Sequence, residues 1–173
     1  MSNEAWEEFL RKQPLARFSY YLNGRVRVLN EVKKEIIENL DKAFVDNAVF
    51  HEKISRAEML FWLWSLGAYE VIRTMHQAKS CFSERVQNDL FELKKELAAV
   101  RIPNAKMEKV GKKVPVPSGR SASGINIERK DLLVGEPRDD ISARDLILRI
   151  SVFFSSISDT DIILAHEEAY KES

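Results

Sequence analysis

The chain has 173 residues, 45% of them hydrophobic, which is enough to bury the core of one domain and too few for two comfortable ones. Lysine plus arginine equals aspartate plus glutamate at 27 each, so no overall field recommends nucleic acid, a membrane surface or an acidic partner, and any charge argument has to be local. The single cysteine, Cys81, excludes an intramolecular disulfide framework. With an opening Met-Ser-Asn-Glu-Ala-Trp-Glu-Glu of no signal-like character, this makes the cytoplasm the expected compartment.

In chain order, the first expected element is a short amphipathic helix from Asn3 to Arg11, with Trp6, Phe9 and Leu10 inward and an end before Pro14. Phe18, Leu22, Val26, Leu29, Val32, Ile36, Leu40 and Phe44 then recur every three or four residues, the period of one helical face. Asn23-Gly24 between "FSYYL" and "RVRVL" is a competing hairpin signal. Pairing those arms sets Tyr20 opposite Arg27 and Leu22 opposite Arg25, leaving neither face apolar, so helix is the better reading of residues 18–29.

Ser55 and Glu58 form a capping-box pattern, predicting a helix from Ser55 to about Gln77. Its longest apolar stretch, Met59 to Tyr69, is broken by Ser65 and falls short of the ~20 residues a membrane span needs. Trp62 and Trp64 project about 200° apart, so both sides are apolar and the helix is expected to be central in a bundle or covered twice at an interface. A third helix should start near Ser83, bury Val86, Leu90, Leu93, Leu97 and Val100, and stop at Pro103.

From Ile102 to Asp140 the composition changes, with four of the five prolines and four of the six glycines. The segment predicts a long flexible insertion at about 102–140, mobile around Ser118 to Gly124, with a short β-hairpin over "INIERKDLLVG". A further helix begins at Ser142 and buries Leu146, Ile150, Phe153 and Ile157. Ser158 with Asp161 repeats the capping pattern for a last helix, through Ile162 and Leu164 to Tyr170. The expected fold is therefore all-α: one domain, residues 1–173, of four to five helices around a central apolar helix.

Two groups of residues are candidates for a site. On the central helix Trp62, Ser65, Tyr69, Arg73 and His76 are spaced three, four, four and three, which places them on one stripe. Tyr69 and Arg73 can stack as ring and guanidinium, with Glu70 fixing the arginine, to make a wall for an anion, a planar ring or a partner's surface. The same residues would also mark a plain solvent-facing edge. The second group is basic: Lys106, Lys109, Lys112, Lys113, Arg120, Arg129 and Lys130 stand against only Glu108 and Glu128. Of these Lys106, Lys109, Lys112, Lys113 and Arg120 are the candidate phosphate ligands. No Walker A spacing precedes Gly111-Lys112, and no aromatic residue is present to stack a base. The three histidines show no metal-ligand spacing, and nothing calls for a cofactor.

A compact four- or five-helix layout with a basic connection is similar to the HEPN domains, whose ribonuclease members use an arginine followed four to six residues later by a histidine. Here two residues separate Arg73 from His76, so the resemblance is one of layout and implies no catalytic residue. Two functions follow as expectations. The first is a non-catalytic binding or interaction protein, with a protein partner or self-association and no membrane. The alternative is a nucleotide- or RNA-directed helical bundle that places Arg73, His76 and the loop lysines on phosphates.

Overall fold

The computed structural model describes residues 3–45, 48–109, 111–115, 123–135 and 141–168. The protein is predominantly helical, a helical bundle with a small strand insertion. Helix α1 (Asn3–Lys12) buries Leu10 and half-buries Trp6 and Phe9, as its amphipathic pattern dictates. A single turn, α2 (Leu15–Phe18), is separated from the long α3 (Tyr20–Ala43) by Ser19, whose extended backbone breaks the helix. The Ser19 hydroxyl accepts from Leu22 N at 3.3 Å, capping α3. Phe18 thus belongs to α2, whereas Leu22, Val26, Leu29, Ile36 and Leu40 form the buried face of α3. The hairpin signal at Asn23-Gly24 is overridden: Asn23 is buried inside α3 and its amide donates to Gln13 Oε1 at 2.9 Å.

Two-residue strands β1 (Phe44–Val45) and β2 (Ala48–Val49) reverse the chain into α4 (His51–Gln77). That helix starts a turn earlier than Ser55 because Phe50 N donates to Ala43 O and Phe50 O accepts from Lys53 and Ile54, leaving Ser55 an exposed interior position. After a 3-10 turn at Lys79–Cys81 comes α5 (Glu84–Lys106), which buries Val86, Leu90, Leu97 and Val100 completely. Pro103 does not end it. A proline this near the C-terminus removes one backbone bond only, and the helix stops a turn later where Met107 turns left-handed (φ 53) and its N–H reaches Pro103 O.

Strands β3 (Ser123–Asn126), β4 (Asp131–Val134) and β5 (Ile141–Ser142) form an antiparallel sheet in that order, with Ile125 opposite Leu132. Leu132 and Val134 point into the core. The buried Asp131 carboxylate ties the sheet to helix α6 (Ala143–Ser156), accepting from Ser142 Oγ, from Leu132 N at 2.8 Å and from Arg144 N at 3.3 Å. Ser142 caps α6 through Asp145 N at 3.0 Å, and Leu146, Ile150, Phe153 and Ile157 are buried as their spacing predicts.

No helix follows Ser158 over the described residues. The Ser158/Asp161 capping box closes only a 3-10 turn, and Ile162 then pairs with Phe82 while Ile163 N donates to Cys81 O at 2.8 Å. Asp161 anchors this strap. Burial alone would raise its carboxyl, but hydrogen bonds from Arg85, Ser83 and Ser158 outweigh that and hold it well below the usual carboxylate range.

Helix α4 lies between α3 and α5, and α6 bridges α3 and α5 through Lys33 to Ser151 at 3.1 Å and Arg149 to Glu96 at 2.6 Å. One continuous apolar core runs through these four helices and β4. The two tryptophans of α4 part as their angular separation requires: Trp64 is 2% exposed and stacks on Phe61, whereas Trp62 is 41% exposed. Trp62, with the exposed Met59 and Leu63, makes an apolar outer face on α4 that no described element covers.

Candidate functional site

The stripe predicted on α4 does not act as one wall. Ser65 is completely buried, and its hydroxyl donates to Trp62 O at 2.9 Å, so it satisfies itself inside the helix. Tyr69 turns to α5, where Arg101 places its guanidinium carbon 4.7 Å from the ring centroid, so the partner on the ring is Arg101 and not Arg73. Arg73 instead pairs with Glu70 at 2.7 Å and donates to Gln77 Oε1 at 3.0 Å. His76 also faces α5, with Nδ1 3.3 Å from Lys94 Nζ and its ring 6.4 Å from that of Phe91. Burial, then the positive charges of Lys94 and Lys79, push the imidazole below its ordinary value, which favours the neutral ring with Nδ1 accepting from the lysine.

The antiparallel course of α4 and α5 decides which basic residues meet this stripe. Lys94 lies beside His76 and Arg101 beside Tyr69, so Lys106 is carried about 18 Å along α5 away from Lys94. Lys106, the last residue of α5, is therefore not brought to Arg73 and His76. Within 102–140, residues to Lys106 are helical, Glu108 and Pro115 bridge across a turn closed by Lys109 N to Val114 O at 2.9 Å, and residues 123–134 form the predicted hairpin. Lys109, Lys112 and Lys113 are exposed on that turn. Arg120 lies outside the described residues, as does most of Ser118 to Gly124.

What the stripe leaves, α3 and α4 supply jointly. Between them runs an open groove of about 1080 Å³, floored by Leu29, Val32, Leu66 and Val71. Tyr21 and Val28 form one bank, and Leu63, Glu70 and Arg73 the other. Tyr21 is 84% exposed, Val28 62% and Leu63 51%, a large apolar surface to leave facing water. The groove is apolar because Tyr21, Val28 and Val32 lie just outside the buried face of α3, while Leu63 and Leu66 lie just outside that of α4. Gly67 lets the two helices approach at its base: a Cβ there would sit 3.1 Å from Leu29 Cδ2. At one end the surface continues through Tyr20, edge-on to Tyr21, onto the stacked rings of Trp6 and Phe9.

Of the predicted residues, only Arg73 lines this groove, and Trp62 stands on the neighbouring outer face of α4. Tyr21, Val28 and Leu63 were missed because each looks like an ordinary surface residue on its own helix. Cys81 is buried, and burial followed by Glu168 raises its thiol, the environment of an inert cysteine. Among the described residues no three metal-ligating side chains come together, and no helix is long and apolar enough to cross a membrane.

The fold and site thus define a helical bundle with an open interhelical groove. Comparison with protein-family models, with curated proteins and with solved structures finds no match to the chain.

Proposed function

We propose that the protein is a non-catalytic binding protein that docks a protein partner in the groove between α3 and α4. The observation that carries this reading is the apolar surface left open there, with Tyr21, Val28 and Leu63 each more than half exposed around a floor of Leu29, Val32, Leu66 and Val71. Covering it would remove from water side chains that the bundle itself does not need to bury. A cytoplasmic setting belongs to the same proposal and is supported by a chain whose single cysteine, Cys81, is buried and leaves no intramolecular disulfide framework. The test is selection of a random-peptide display library on the full chain, with counter-selection on the Val28→Asp, Leu63→Asp double variant. Binders retained by the natural sequence and lost by the variant are expected; a selection yielding none ends the reading. Sedimentation at increasing concentration separates a foreign partner from a second copy of the chain.

A second reading rests on the exposed turn 108–115. Lys109, Lys112 and Lys113 make no ion pair with any described residue there, a set of charges suited to phosphates of RNA or a nucleotide. Binding of single-stranded RNA whose affinity falls steeply with salt, and less steeply in Lys112→Ala, Lys113→Ala, is its expected signature.

A further inference from the structure

We propose that the groove takes an acidic amphipathic α-helix of about three turns, lying with its apolar side down and its carboxylates toward Arg25 and Arg73. This rests on the reading of the groove as a protein-docking surface and specifies the chemistry of the partner. Four observations converge on it.

The first is length. The groove runs from Tyr21 to Val32 on α3 and from Thr74 to Leu63 on α4, about 16 Å of each axis, or three turns. The second is the nature of its walls. Both are α-helices whose backbone donors and acceptors are used internally, so an extended segment laid between them would find no ladder to pair with and would bury unpaired amides. A helix satisfies its own backbone and presents side chains at i, i+3, i+4 and i+7 to the floor.

Charge is the third. Arg25, exposed among the groove-lining residues of α3, makes no ion pair with any described residue. Across from it Glu70 is shared by Arg73 at 2.7 Å and Arg101 at 4.0 Å. The groove lining therefore carries two guanidiniums, Arg25 and Arg73, against the one carboxylate of Glu70, which favours an incoming acidic flank and opposes a basic one.

The fourth is Gly24. A glycine inside a helix costs roughly 1 kcal/mol against alanine, and here packing gives no reason for it, because a Cβ would meet nothing within 4 Å. Gly67 is explained by Leu29, whereas no described residue packs where a side chain at Gly24 would begin. It lies on the groove bank between Tyr21 and Val28, where the missing side chain lowers the wall and lets another backbone approach closely.

The experiment uses fluorescein-labelled peptides of about fourteen residues, locked helical by a hydrocarbon staple, with leucines on one face and either glutamates or lysines flanking them. A third peptide scrambles the leucines of the acidic one. Anisotropy is measured with the full chain, with Arg25→Glu and with Gly24→Leu, a substitution that enters open space and replaces a poor helix former. The acidic peptide is expected to bind about tenfold or more tighter than the basic and scrambled ones. Arg25→Glu should erase that preference. Gly24→Leu should weaken binding about tenfold or more while its unfolding midpoint is no lower than that of the natural sequence. Equal binding of acidic and basic peptides, binding unaffected by Gly24→Leu, or no binding of any helical peptide overturns the inference. If the random-peptide selection still returns groove-dependent binders of extended or basic character, the docking reading survives without it; if that selection is also empty, both fall.

Discussion

Alanine substitution at the two helical glycines tests directly whether the α3 bank of the groove is open. At Gly24 a Cβ meets nothing within 4 Å, so Gly24→Ala should return most of the helix-propensity difference, about 0.5–1 kcal/mol of added stability. For a chain of this size that is a rise of roughly 1–4 °C in the unfolding midpoint. At Gly67 the same gain is opposed by a Cβ 3.1 Å from Leu29 Cδ2, and Leu29 is itself buried and must shift by a few tenths of an ångström. Crowding of that kind costs about 1–3 kcal/mol, so Gly67→Ala should be neutral to destabilised by about 2 kcal/mol. The two variants share one chemical change, and their difference isolates the packing. Urea unfolding followed by far-UV circular dichroism measures both, provided the slopes against denaturant agree. If Gly24→Ala proves less stable than Gly67→Ala, something packs against the outer face of α3 and the groove is not open.

Trp64→Ala should cost about 3–5 kcal/mol in the same assay, because the ring is 2% exposed and stacked on Phe61; an unchanged midpoint would remove α4 from the centre of the bundle. Arg73→Ala should cost less than about 1 kcal/mol, since both side chains of its pair with Glu70 are more than a third exposed, and a loss of several would mean a buried internal network. His76 is held below its ordinary value of 6.5, so the unfolded chain takes up its proton first. The stability it contributes is present above pH 6.5 and is lost as pH falls below it, and His76→Gln should flatten the pH dependence there. Asp161 is depressed below its ordinary 3.8, so its contribution is present above that pH and lost as acid protonates the folded state. Asp161→Asn should cost about 2 kcal/mol at neutral pH and show a smaller further loss in acid.

The helices that a single face defines are legible in the sequence. The three-and-four spacing from Leu22 to Leu40, the run from Val86 to Val100 and the Ser142 cap of α6 all report local geometry, and each is found where it was expected. The errors arise where a distant contact decides. Ser158 and Asp161 have the spacing of a helix start, but Ser83 and Arg85 take the carboxylate and Cys81 takes the next backbone donor, so a strap forms instead of a helix. Ser55 resembles a cap, yet Ala43 and Phe50 start α4 earlier by closing the preceding turn. Pro103 reads as a stop until its position in the final turn is known.

The site was legible only in part for the same reason. One helix's periodicity places Trp62, Tyr69, Arg73 and His76 on a common edge, but it cannot tell which neighbour each will meet. Arg101 and Lys94, from another helix, claim Tyr69 and His76 and leave Arg73 to the opposite side. Tyr21, Val28 and Leu63 become a groove only when α3 and α4 are set side by side, and the exposure of an apolar residue is not written in its own helix.

The central claim is that the surface between α3 and α4 is a docking site, and its most direct test is nuclear magnetic resonance of the labelled full chain titrated with the tightest peptide from the random selection. Backbone and methyl shifts are predicted to concentrate at Gly24, Arg25, Val28, Leu63 and Arg73, with the 108–115 turn and the outer face of α6 unmoved. Shifts concentrated on Lys109, Lys112 and Lys113, or on Leu148 and Val152 of α6, with Val28 and Leu63 silent, would contradict it.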